Sequence, residues 1–191
     1  MRFKRVSMVV VLSILFLGCS ASQKALKANQ SLDTMIEQKA FKIEVRAAEP
    51  QVTTALAQIG TSGLMRPGNT ISRIDVTGEG YFIKLDGEKA TANLPYYGER
   101  QMGGGYGSDT GITFDNESAR DLTIVKDATK HSYVVSFSVD NSSESYFFTI
   151  DLGASLHSTV RVRSSHRNRI RFTGNVIELA DDGVVSNEKH D

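Results

Sequence analysis

Late in the chain, His157, Arg161 and Arg163 share one parity against Val160 and Val162, and His166, Arg167, Arg169 and Arg171 follow across a turn. With Ser164 to Asn168 as the connection of a hairpin, two adjacent strands set Arg161, Arg163, Arg169 and Arg171 on one outer face. Guanidinium groups pair bidentately with phosphate and carboxylate oxygens, so such an array can bind phosphate, lipid head groups or an anionic glycan. Intramolecular pairing with acidic residues such as Asp75, Glu79 or Glu178 would neutralise it equally well and leave an ordinary solvated sheet face.

A second unusual stretch runs from Asn93-Leu-Pro-Tyr-Tyr-Gly98 into Met102-Gly-Gly-Gly-Tyr-Gly-Ser-Asp-Thr-Gly-Ile112. Glycines at this density permit close approach of backbone to another group. One reading is a lip that places Tyr96, Tyr97 and Tyr106 at a ligand pocket. The other is an irregular crossing between strands, with Pro95 ending one of them. No Gly-Lys-Ser/Thr follows, and no helix with a suitably placed acidic residue, so neither a phosphate loop nor a dinucleotide fingerprint is present.

Catalytic and metal chemistry have less to work with. His131 and His157 stand in no metal-ligand spacing, and no Gly-x-Ser-x-Gly nucleophile elbow surrounds Ser155 or Ser132. An acid–base reaction would need at least two of Asp109, Asp115 and His131 to converge in one cleft. No cofactor is expected.

The elements that must position these residues are mostly strands. Phe41, Ile43 and Val45 alternate with Lys42, Glu44 and Arg46, and Ile83 and Leu85 lead through Asp86-Gly87 to Ala90, Ala92 and Leu94, a hairpin pattern. Tyr133 to Val139, Tyr146 to Leu152, Leu156 to Val162 and Ile170 to Phe172 follow with short links, and Gly174-Asn175 shifts the phase as a bulge would. Such a chain predicts a mainly β domain over 30–180: an antiparallel meander of about 8–10 strands forming an open barrel or a sandwich. One N-terminal amphipathic helix is expected from Ala28, Leu32, Met35, Ile36 and Ala40. The flanking segments 19–29 and 181–191 read as a polar tether and a disordered tail.

Upstream, Arg2, Lys4 and Arg5 precede an apolar run from Val6 to Leu17 that ends at Gly18-Cys19. The run is short for a membrane span and matches a cleaved export signal over 1–18, with Cys19, the single cysteine, as the acylated residue of a lipoprotein. Phe16 and Leu17 depart from the usual lipobox. Ser20, Ala21, Ser22 and Gln23 bring no acidic cluster, which by resemblance to bacterial sorting patterns points to the periplasmic face of the outer membrane. Cleavage removes three of the 22 basic residues and none of the 22 acidic ones, so the mature chain is mildly acidic. That balance disfavours nucleic acid as a partner.

The Leu94-Pro95-Tyr96-Tyr97-Gly98 motif, the glycines ahead of Gly111-Ile112-Thr113-Phe114, and the Asn168-Arg169…Ile170…Phe172…Gly174 pattern resemble the domain-of-unknown-function family numbered 4251. The resemblance spans about Ile36 to Leu179 and implies a small envelope lipoprotein of Bacteroidetes. It implies no activity and no catalytic residue. The expectation is a non-enzymatic, lipid-anchored envelope module that binds a lipid, a glycan or an envelope protein. An apolar cavity inside the barrel would make it a carrier. The alternatives are a glycan- or lipid-acting hydrolase, and a scaffold docking through the arginine face.

Overall fold

The computed structural model describes residues 19–54, 57–58, 67–102, 111–141 and 144–179. Helix α1 (Cys19–Glu37) is followed by β1 (Ala40–Pro50), β2 (Ile74–Asp75), β3 (Phe82–Asp86), β4 (Lys89–Leu94), β5 (Ile112–Ser118), β6 (Arg120–Asp127), β7 (Ser132–Asn141), β8 (Glu144–Leu152), β9 (His157–Ser164) and β10 (Ile170–Glu178). The strands form one antiparallel sheet in the order β5-β4-β3-β1-β10-β9-β8-β7-β6, with β2 beside β1. It is a mainly β fold, nearly closed into a barrel with one seam. Of the two architectures open to the sequence, barrel and sandwich, the chain adopts the barrel.

The seam lies between β5 and β6, which are neighbours in sequence yet sit at opposite ends of the strand order. Buried Ala119 joins them. Both strands are irregular at this corner, with register shifts opposite Ala90/Ala92 and between Arg120/Thr123. Asn116 and Asp121 take positive φ there, a conformation that Asn and Asp tolerate better than most residues. Across the gap, Asn141 Nδ2 donates to the Thr113 carbonyl at 2.9 Å, and the Phe114 ring meets Phe148 edge-on at 5.8 Å.

Strand alternation sends one face of each strand inward. Ile43, Val135, Val139, Ile150, Leu152, Val160 and Phe172 have 0% exposure, so no water-sized void touches them. The described core is thus filled by side chains, and the interior apolar cavity that a carrier would need is absent from it.

The two ends of the barrel are closed differently. At one, α1 buries Leu32, Met35 and Ile36, the stripe legible in the sequence. The helix begins at Cys19, so the segment 19–29, read as a polar tether, is helical, and Ala40 belongs to β1 rather than to the helix. At the other end, the residues after β4 cross over to the β9–β10 connection: Gln101 N–H donates to the His166 carbonyl at 2.7 Å and Asn168 N–H to the Glu99 carbonyl at 3.2 Å.

The expected bulge sits on the partner strand. β10 alternates without interruption through Gly174, while β1 carries the extra residue between Val45 and Ala47. A Cβ on Gly174 would stand 2.1 Å from the Glu44 carbonyl oxygen, so the glycine marks a close backbone approach opposite the bulge.

Candidate functional site

On the outer face of β9 and β10, Arg161 and Arg171 are cross-strand partners. Arg163 lies two residues along β9, and Arg169 immediately precedes β10. All four line a groove of ≈ 480 Å³ walled on the β1 side by Glu49, Pro50 and, just past the strand, Gln51. The sequence parity thus delivers these four residues to one place.

Two of the four are neutralised within the chain, by carboxylates other than the examples Asp75, Glu79 and Glu178. Arg161 Nη2 lies 2.6 Å from Asp151 Oδ2, and Arg171 Nη2 lies 2.6 Å from Glu49 Oε2. Glu49 also receives Arg73 Nη1 at 2.6 Å through its other oxygen. Arg169 Nε donates to Gln51 Oε1 at 3.2 Å, a neutral acceptor. Among the described residues the Arg163 side chain has no hydrogen-bond or ion-pair partner. The Arg161 and Arg171 side chains are about half exposed, 51% and 56%, so their ion pairs are worth at most about 1 kcal/mol and yield to a better-placed anion.

A buried polar network forms at the barrel end where the segment after β4 crosses. Arg167 Nε donates to Glu144 Oε1 at 2.8 Å, with side-chain exposures of 4% and 6%. Arg100 Nη2 reaches the second Glu144 oxygen at 3.2 Å, and the Ser164 hydroxyl donates to Oε1. Burial pushes the Glu144 pKa up, but hydrogen bonds from Ser164, Arg167 and Tyr146 outweigh it and hold the carboxyl below its ordinary value. The reverse holds for the Tyr146 hydroxyl, whose pKa is pushed up to about 12, chiefly by burial and then by the Glu144 charge. Arg167 Nη1 donates to the Gly111 carbonyl at 2.8 Å and its guanidinium stacks 5.1 Å from the Tyr96 ring centre.

Tyr96 is therefore fastened from both sides. Its single hydroxyl hydrogen is shared between the Glu99 carbonyl at 2.8 Å and the Asn168 carbonyl at 3.1 Å. Tyr96 and Tyr97 border a depression of ≈ 260 Å³ with Tyr81 and Pro95, separate in its lining from the arginine groove. Tyr106 and Asp109 lie outside the described residues, as do the segments 1–18 and 181–191. Cys19 is the first residue of α1.

The acid–base candidates are engaged apart. Asp115 accepts from Thr91 Oγ1 at 3.0 Å. His131 Nε2 lies 3.3 Å from Asp33 Oδ1, too poorly aligned for a hydrogen bond. That same Asp33 oxygen takes the Tyr133 hydroxyl and Lys126 Nζ at 3.2 Å. The Tyr133 bond, with help from Lys126 and His131 against a burial penalty, keeps Asp33 below the ordinary carboxylate value. This hub ties α1 to the β6–β7 hairpin. No group of three or more His, Cys, Asp or Glu among the described residues can hold a metal ion, and no described helix is long and apolar enough to cross a membrane.

A family model described as a domain of unknown function, DUF4251, matches residues 23–176. The chain belongs to the DUF4251 family. A crystal structure of a DUF4251 family protein from Bacteroides eggerthii DSM 20697 is similar at 16% identity, covering 79% of this chain and 87% of that one with a TM-score of 0.54. At that identity the likeness is one of fold. No curated protein matches. Within this DUF4251 chain, three of the residues that carried the resemblance meet at one place: Gly111 and Tyr96 contact Arg167 of the buried network, and Asn168 accepts from the Tyr96 hydroxyl.

That network was missed in the sequence. Glu144 shares parity with Tyr146, Phe148 and Ile150, which marks it as inward-facing, whereas Arg167 lies in a connection with no period to read.

Proposed function

We propose that the protein is a non-catalytic binding module of the cell envelope, held through acylated Cys19 at the periplasmic face of the outer membrane, that recognises an anionic partner with its arginine groove. The observation that carries the reading is the convergence of Arg161, Arg163, Arg169 and Arg171 on one groove, with Arg163 unengaged among the described residues. The filled core supports an external site. An anionic lipid, a glycan and the acidic face of an envelope protein all fit the chemistry, the last being the scaffold reading. The hydrolase reading has weaker support, because Asp115 and His131 keep separate partners.

Retention of the full chain on immobilised polyglutamate tests the site. Binding that weakens with salt and is lost in an Arg163→Glu/Arg169→Glu variant with unchanged melting supports it. Equal retention of the variant removes the groove from the function. Mass spectrometry of the mature N-terminus tests the anchor: acylated Cys19 is expected, and an intact Met1 or a free thiol overturns it.

A further inference from the structure

Resting on that reading of the groove, we propose that its occupant is a phosphomonoester dianion seated over the cross-strand pair Val162–Ile170. Both of these side chains point into the core, at 1% and 3% exposure. Nothing therefore rises from the outer face between the arginines that flank them in sequence. Arg161 and Arg163 stand on either side of Val162, and Arg169 and Arg171 on either side of Ile170, so the four mark the corners of a box floored by backbone. Strand geometry makes the box about 6.7 Å along the strands and about 5 Å across them. That footprint suits one tetrahedral anion within reach of all four guanidiniums.

Charge narrows the class further. Five guanidiniums, the four of the groove and Arg73, share two carboxylates: Asp151 holds Arg161, and Glu49 holds both Arg171 and Arg73. Arg163 and Arg169 are left with no carboxylate partner among the described residues, so at least two positive charges remain uncompensated. A phosphomonoester supplies about two negative charges above its second ionisation near 6, and three oxygens for charge-assisted bonds. A phosphodiester or a lone carboxylate supplies one, so ordinary diester head groups match less well. The bonds fall to Arg163 and Arg169, whose terminal nitrogens are open, while Glu49 and Asp151 hold the other two arginines as positioning residues.

Calorimetric titration of the full chain in a non-ionic detergent tests this, with glucose 1-phosphate, sulfate and acetate at pH 5.0 and 7.5. Glucose 1-phosphate is expected to bind about tenfold more tightly at pH 7.5, because only about a tenth of it is dianionic at pH 5.0. Sulfate, a dianion throughout, reports any titration of the protein's own groups at the groove, Glu49 and Asp151. Acetate is expected to bind at least tenfold more weakly than the phosphate. Arg163→Gln/Arg169→Gln is expected to lose at least tenfold with an unchanged melt.

Phosphate affinity that does not change with pH, or that acetate equals, overturns the assignment. Polyglutamate retention without phosphate binding leaves the anion groove standing and removes the phosphomonoester. Loss of both removes the groove reading itself. Detergent doped with phosphatidate against phosphatidylglycerol separates the sources: preference for phosphatidate over glucose 1-phosphate assigns a lipid, and equal binding of the two assigns the phosphoryl group alone.

Discussion

Arg167 and Glu144 are joined by a 2.8 Å bond with both side chains almost wholly removed from water. A buried charge left without its partner costs roughly 3–5 kcal/mol, whereas an apolar replacement of the pair is often neutral. Glu144→Gln is therefore expected to lower stability by about 3 kcal/mol or more in denaturant unfolding. The double variant Glu144→Gln/Arg167→Met should recover part of that loss. A double variant less stable than the single one would show that Arg167 acts through Gly111 and Tyr96 rather than through the ion pair.

The same carboxylate sets an acid limit. Its folded pKa lies below the ordinary 4.5, and that of Asp33 below the ordinary 3.8, so the native state binds these protons more weakly than the unfolded chain does. Their contribution is complete above the ordinary values and is lost as pH falls through the lowered folded ones. Melting temperature should hold from pH 7 to about 5 and then drop, with a smaller drop in Glu144→Gln/Arg167→Met. Identical acid profiles would exclude Glu144 as a source of the acid sensitivity.

What the sequence makes legible follows local physics. The β3–β4 hairpin is readable because Asp86-Gly87 supplies the turn, with Gly87 at φ 61°, between two runs of period two. The arginine face is readable for the same reason, as parity needs no knowledge of neighbours. Its partners Glu49 and Asp151 are not, since they arrive from β1 and β8 by strand register, a tertiary property. The first turns of α1 hold no apolar stripe to mark them. β6, at the seam, buries no residue fully, and its exposed Val125 blurs the alternation that would announce a strand.

Gly174 was visible as a glycine in a strand, but the reason for it lies on β1. A methyl group there meets the backbone carbonyl of Glu44, which cannot rotate away as a side chain would. Gly174→Ala is expected to destabilise the barrel by about 1–3 kcal/mol, through displacement of β1. Hydrogen exchange should show the loss at the β1–β10 ladder near Val45. An unchanged stability would mean that the bulge slides at no cost.

Asp33 gathers Tyr133, Lys126 and His131 onto one oxygen and is the main polar link between α1 and the β6–β7 hairpin. The helix also buries Leu32, Met35 and Ile36, so loss of the hub should loosen α1 without unfolding the sheet. In Asp33→Ala, amide protection in α1 is expected to fall well before that of β8 and β9, and protease should cut the helix while the barrel stays intact. If protection falls equally in helix and sheet, α1 is part of the barrel's own folding unit. The hub would then be a core contact of that unit, not a clasp for the segment that leads to Cys19.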